Sequence, residues 1–411
     1  MLLIPSYIGV SFLSLPYIVK ILGLWGGSAG LFLYGMLNEM AALILVECTK
    51  RLSERTGERL SDMGKVAEIS MKLGPPCLQP HAGKLRFCVD FSILMTYTLG
   101  LPDLISLMNL FGQDILRQYV DINDTGSIVA ISVLLLPIYL TRRVKLLSFV
   151  ATAANFFLVC LFAISFQYIC QDLPNVSTRP AIKLIDYITF TSFTNDAMFT
   201  CCGIAMILPI RNKMKTKKNF DGWNGVLGLA LVITTCFHAF CGFYGYMKFG
   251  EMTKVNYLLN LPGDKCLYKS LKILSFLTLY SAHGMAVFVV VEIIWTPLKG
   301  KFSGEQVQNY GEYICRVVLL IIVCTFTILV PEFELLMSLT GCVGVLFTTL
   351  AVPYIVALLT LYGDLEPSEI VEKVKRKSTL TFCVLALVFG IYSTVAGIGV
   401  SVYMTIVHIV L

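Results

Sequence analysis

The feature that most limits what this chain can become is a succession of apolar runs, each about 18 to 25 residues long, separated by polar loops. A run of that length crosses the hydrocarbon of a bilayer as helix. No water reaches backbone N–H and C=O groups there, so each segment must satisfy its own, unless strands close into a barrel. The alternating polar and apolar pattern of barrel strands is missing from this sequence. Composition agrees: 56% of the 411 residues are hydrophobic and only 14% are charged, against about a quarter charged in soluble domains. About eleven spans are expected, at roughly 3–22, 26–49, 85–116, 126–141, 146–170, 187–210, 223–250, 267–297, 312–330, 333–361 and 380–408. The chain reads as an all-α integral membrane protein, one transmembrane domain over 1–411. It opens almost directly inside its first apolar run with no basic segment ahead of it, so no cleavable leader is expected.

The net charge is +6, but its placement says more than its size. Lys and Arg gather in alternate loops: Lys50 to Lys84, Arg142 to Lys145, Arg211 to Lys218, Lys299 with Lys301, and Lys373 to Lys377. Basic residues in short alternate loops mark the cytosolic side and argue for membrane topology rather than for nucleic acid. The first span then begins in the cytosol and the C-terminus lies on the outer or lumenal side. Two glycosylation sequons, at Asn123 and Asn175, fall in loops that this topology places outside. Cys170 and Cys266 lie at outer loops too, where a disulfide persists. The other cysteines sit mostly within apolar runs, where a thiol acts as a small hydrophobe.

Two spans carry interruptions. The first contains Gly9-Val10-Ser11-Phe12-Leu13-Ser14-Leu15-Pro16, and the sixth contains Thr200-Cys201-Cys202-Gly203-Ile204-Ala205-Met206-Ile207-Leu208-Pro209. Gly tolerates non-helical backbone and Pro removes a donor, so helical hydrogen bonding is weakest in these stretches. A lone Gly and Pro in a membrane helix is more simply a kink. Two such stretches five spans apart fit a five-plus-five inverted repeat, with a broken first helix in each half and one accessory helix. The repeats would cover about 1–170 and 187–361, with the accessory helix at about 380–408. Freed backbone groups and half-helix dipoles at such breaks suit the two charged ends of an amino acid.

At these residues the sequence resembles the amino acid/auxin permease family, and within it the proton-coupled amino acid transporters. The likeness covers nearly the whole chain. It is carried by Gly9 to Pro16 with Lys20 and Gly23, by Thr141 to Phe149 with Asn155, and by Cys202-Gly203-Ile204 with Leu208 to Lys215. Gly245 to Gly250 with Asn260-Leu261-Pro262, Phe288 to Glu292, and Ser338 to Gly341 with Pro353 continue it. The resemblance implies an eleven-helix fold, uptake of small neutral amino acids by proton symport, and an outer disulfide that falls on Cys170 and Cys266. The sequence departs from the pattern at defined places. Ser11 stands at the second glycine of the first motif, Cys202 where the sixth span has glutamate, and Ala205 at its second glycine. Arg211 replaces the acidic residue after Leu-Pro, and Leu2 takes the place of a histidine.

The substrate-binding candidates are Gly9, Val10, Ser11 and Ser14 with Thr200, Cys201, Cys202 and Gly203. Ionisable residues inside a membrane are costly, and so are candidates for function. Asp103, Asp196, His283 and Glu292 are the candidates for proton coupling, and Asp103 also for a contact with the substrate amine. Each has a plainer reading as a packing or boundary residue. Asp90 and His238 belong to the same class. Glu39, Glu47 and Arg316 read as ion-pair or interface residues. No metal-ligand spacing, phosphate loop or nucleophile elbow occurs, so neither enzyme activity nor a cofactor is expected. The partners are a small amino acid, protons and the lipid bilayer, in the plasma membrane or a lysosomal or endosomal one. The rival reading is a transporter-like amino acid sensor with little flux.

Overall fold

The computed structural model describes residues 9, 11–60, 62–116, 123–142, 144–200, 203–214, 216–263, 265–300, 302, 304–330, 332–362 and 370–410. The helices in chain order are Leu15–Leu22 (α1), Leu24–Thr56 (α2), Met63–Lys72 (α3), Ala82–Leu116 (α4), Asp124–Leu140 (α5), Val144–Ile169 (α6) and Tyr187–Phe199 (α7). Ile204–Lys213 (α8), Val226–Phe249 (α9), Cys266–Lys299 (α10), Glu305–Leu329 (α11), Phe333–Thr340 (α12), Val352–Tyr362 (α13) and Ile370–Val410 (α14) follow. A 3-10 turn, Ser11–Ser14, leads into α1, and two π-helical stretches, Gly341–Val345 and Phe347–Ala351, join α12 to α13.

Nine stretches are long and apolar enough to cross a membrane, and the shorter apolar helices Ser11–Leu22 and Asp124–Leu140 bring the count among the described residues to eleven. The protein is therefore an all-helical multi-pass membrane protein, with no strand among the described residues. The sixth span is α7 with α8, and the tenth is α12 with α13.

Local signals set the helix ends. Asn123 caps α5 by accepting from the Gly126 N–H at 2.9 Å. Asp186 caps α7 by accepting from the Thr189 N–H at 2.7 Å, which satisfies a donor that the helix itself leaves unpaired. Gly57, at a φ of +69°, ends α2 in the left-handed conformation that favours glycine.

Helix α3 lies in a segment read from sequence as loop. Its ten residues are too short to span, and it buries Val66, Ala67, Ile69 and Ser70 while Lys72 stays exposed. It packs on α4 and α13. Asp90 sits beside Gly64, where a Cβ would lie 2.2 Å from the carboxylate, and pairs with Arg86 at 3.5 Å in a half-exposed setting. Asp90 is thus a boundary residue.

The spans pack in a matched pattern. α4 lies along α10, α2 along α9, and α5 along α11. The packing of α4 on the tenth span has a counterpart in that of α10 on α6. The tenth span reaches unusually close to its neighbours. A Cβ on Gly341 would lie 2.1 Å from the Asn195 carbonyl oxygen, and one on Gly344 would lie 2.2 Å from Thr96 Oγ. Only glycine lets the π-helical stretch cross the sixth and third spans at that distance.

Candidate functional site

The sixth span is interrupted where its sequence is richest in small residues. α7 stops at Phe199 and α8 restarts at Ile204, with Gly203 at its N-cap in a non-helical conformation. Cys201 and Cys202 lie outside the described residues. In the first span Gly9 has a φ of +47°, a left-handed conformation that suits glycine. Ser11–Ser14 then form a 3-10 turn, and Val10 lies outside the described residues.

These two places face one cavity of about 180 Å³. Gly9 and Ser11 line it from the first span, Phe199 and Thr200 from the sixth, Ala286 from the eighth, and Phe333 and Thr340 from the tenth. The third span supplies Thr96, Tyr97, Gly100, Asp103, Leu104 and Leu107. Their spacing of three and four residues puts them on one face of α4. Thr96 and Tyr97 also border a smaller void of about 20 Å³, lined by Gly203, Ile204 and Ala205 at the start of α8 and by Thr348 and Thr349. Pockets for drug-sized ligands measure about 300–1,000 Å³, so this volume suits a much smaller solute.

The cavity brings together Gly9, Ser11, Thr200 and Asp103, with Gly203 at its margin. It does not take in Ser14, which is buried, does not line it, and has a hydroxyl oxygen without a hydrogen-bond partner. Asp103 is 2% exposed, and its Oδ2 accepts from Thr340 Oγ at 2.8 Å. Asp196, 4% exposed, lies in α7 away from the lining. It shares that region with Glu334, whose Oε2 accepts from Tyr17 Oη at 2.7 Å. His283 is fully buried and stands 3.1 Å from Tyr139 Oη through Nε2. It is one turn from Ala286 but outside the lining. Glu292 is exposed and remote from the cavity.

Arg316 behaves as an interface residue. It pairs with Glu312 at 2.9 Å and donates to the carbonyls of Tyr139 and Thr141. Glu47 pairs with Arg51 at 2.9 Å, whereas Glu39 is buried with Oε1 unpartnered. Arg211, at the position of the family's acid, holds Asp221 through both oxygens at 2.6 and 2.7 Å.

The expected disulfide is not formed. Cys170, just past α6, and Cys266, the first residue of α10, are free and exposed thiols. Their helices do meet, with the Tyr168 and Tyr268 rings 5.3 Å apart. The sequon residues Asn123 and Asn175 are both exposed.

The remaining lining residues were not singled out from sequence as site residues. Thr340 and its neighbours stood only within a family motif, and Tyr97, Gly100 and Leu107 carried no local mark. The signal available was the 96, 97, 100, 103, 104, 107 stripe on one face of an apolar span.

A bundle of membrane spans with one span broken in two beside a small, partly polar cavity has the architecture of a membrane transporter. The chain matches the family model described as transmembrane amino acid transporter protein over residues 1–398, and it belongs to that family. It is 26% identical over 402 residues to the proton-coupled amino acid transporter-like protein pathetic of Drosophila melanogaster, covering 96% of this chain and 83% of that one. It is 25% identical over 403 residues to the probable amino acid transporter skat-1 of Caenorhabditis elegans, covering 95% and 85%.

Proposed function

We propose that this protein is a secondary carrier that moves small neutral amino acids across a membrane by alternating access. The observation that carries the reading is the cavity of about 180 Å³ where the first, third, sixth, eighth and tenth spans meet. Gly203, Ile204 and Ala205, which open α8, line the small adjoining void that shares Thr96 and Tyr97 with it, and N–H groups at a helix start suit a carboxylate. The family and the names of the two relatives support the amino acid as substrate. Residues 1–170 and 187–361 act as two inverted repeats, a reading supported by the matched packing of α4 on the tenth span and α10 on α6. The C-terminus lies on the outer or lumenal side, with Asn123 and Asn175 as glycan acceptors there, in the plasma membrane or a lysosomal or endosomal one.

Protons drive the uptake through buried acids rather than through the family's glutamate position, which is Cys202 here. Asp196 is the first candidate, because it is buried beside Glu334 and near the break of the sixth span. His283 is the second, held against Tyr139 in the eighth span. Glu292, being exposed, is the weakest of the four named from sequence.

Reconstitution into liposomes tests the reading. Saturable uptake of a neutral amino acid such as alanine is expected, and it should rise when the outside is acidified. Ser11→Phe fills the cavity wall and should abolish uptake with expression intact. Absence of uptake for every amino acid, with or without a pH gradient, refutes the carrier. Retained binding in that case favours the sensor.

A further inference from the structure

We infer that Asp103 is the anchor for the substrate's ammonium group, and that the site rejects amino acids carrying a second carboxylate; the inference rests on the carrier reading above. Asp103 follows Pro102 within α4 and lines the cavity together with Gly100 and Leu107, on the same helix face. Its two oxygens are unequal. Oδ2 takes the Thr340 hydroxyl at 2.8 Å, while Oδ1 is buried with no hydrogen-bond partner. A buried carboxylate oxygen left bare is costly, and a charged hydrogen-bond donor offsets that cost best.

The walls do not supply such a donor. No Lys, Arg or His is among the described residues lining the cavity. A primary or secondary ammonium on the ligand therefore completes the carboxylate, and the Thr340 hydroxyl fixes which oxygen it meets. The same lack of a cation leaves nothing to neutralise a side-chain carboxylate. Glutamate and aspartate would add a second buried anion beside Asp103, and like charges in a low-dielectric site repel strongly. Gly100 sets the room for the side chain, since a Cβ there would meet no atom within 4 Å.

The test uses the full chain purified in detergent, with L-alanine, ethylamine, propionate and L-glutamate as probes in a ligand-binding thermal-shift assay, and alanine uptake in liposomes. Wild type should bind alanine, be competed by ethylamine, and ignore propionate and glutamate. Asp103→Asn keeps the shape of the side chain and should weaken alanine binding by about tenfold or more, the worth of a charged hydrogen bond. Asp103→Glu should recover part of it. Thr340→Val, which leaves the charge in place, should weaken it several-fold.

The ligand-free unfolding midpoint and the size-exclusion profile of each variant guard against misfolding. Unchanged alanine affinity in a folded Asp103→Asn, or propionate competing as well as ethylamine in wild type, overturns the anchor while uptake by wild type still upholds the carrier. Intact alanine binding in Asp103→Asn with acid stimulation lost would also overturn it, because Asp103 would then carry the proton. Wild type that neither binds nor transports any probe removes the carrier and the anchor together.

Discussion

The sixth and tenth spans open their backbones in different ways beside the same cavity. The sixth stops at Phe199 and restarts at Ile204, with Gly203 in a non-helical conformation at the start of the second helix. The tenth stays helical but widens into π turns from Gly341 to Val345 and from Phe347 to Ala351. π turns keep the ladder while shifting it by one residue, and they concentrate at functional sites. The first device presents backbone donors and the second presents a side chain, Thr340, at the turn where the widening begins. The two are fastened together by Asn195 Nδ2, which donates to Ser338 Oγ of the tenth span at 3.1 Å and also to Ser401 Oγ of α14 at 3.3 Å.

The largest effect should come from separating these spans by force. Gly341→Val places bulk against the backbone of Asn195, which cannot rotate away. Overpacking costs about 1–3 kcal/mol and at times more, and backbone atoms are the least able to give, so little monodisperse protein should emerge on size exclusion. A normal yield would show that the tenth span can slide. Asn195→Ala removes both links and should cost about 1–3 kcal/mol, seen as a lower unfolding midpoint in detergent. Ser401→Ala removes a hydroxyl that also meets Ser338 Oγ at 3.3 Å and Cys342 Sγ at 3.7 Å but leaves the Asn195–Ser338 bond in place, and should cost about 1 kcal/mol. An equal drop for both variants would mean that the links do not share the load.

The smallest effect lies away from both spans, at α3. There the Lys72 ammonium, followed by Arg86, holds the Glu68 carboxyl below its usual range. A carboxyl depressed in the folded state adds stability above its unfolded value and loses it as pH falls through the folded one. Glu68→Gln should thus lower the midpoint slightly near neutral pH, by about 0.5 kcal/mol for partly exposed pairs. The gap to wild type should vanish in acid.

This contrast also marks how far sequence alone can see. The break in the sixth span is written in Gly203, which tolerates non-helical backbone, whereas Pro209 lies within α8. The widening of the tenth is not so written. Gly341 and Gly344 act through what crosses them, Asn195 and Thr96, and a single chain does not reveal its crossings. The spans and most of their ends followed from length and apolarity. Helix α3 did not, since ten amphipathic residues within a charged loop take their helical form from packing on α4 and α13. Asp103 was visible as a costly charge. Its partner Thr340 was not, being 237 residues away.

The second half of the sixth span, α8, ends in a mutual clasp. Arg59 Nη2 donates to the Asn212 carbonyl at 2.7 Å, and Asn212 Nδ2 donates to the Leu60 carbonyl at 2.9 Å. Asn212 belongs to α8, and residues 59 and 60 lead directly into α3. The clasp therefore ties the end of α8 to the segment that precedes α3. A fluorophore on the exposed face of α3 would test whether α8 moves when an amino acid is added.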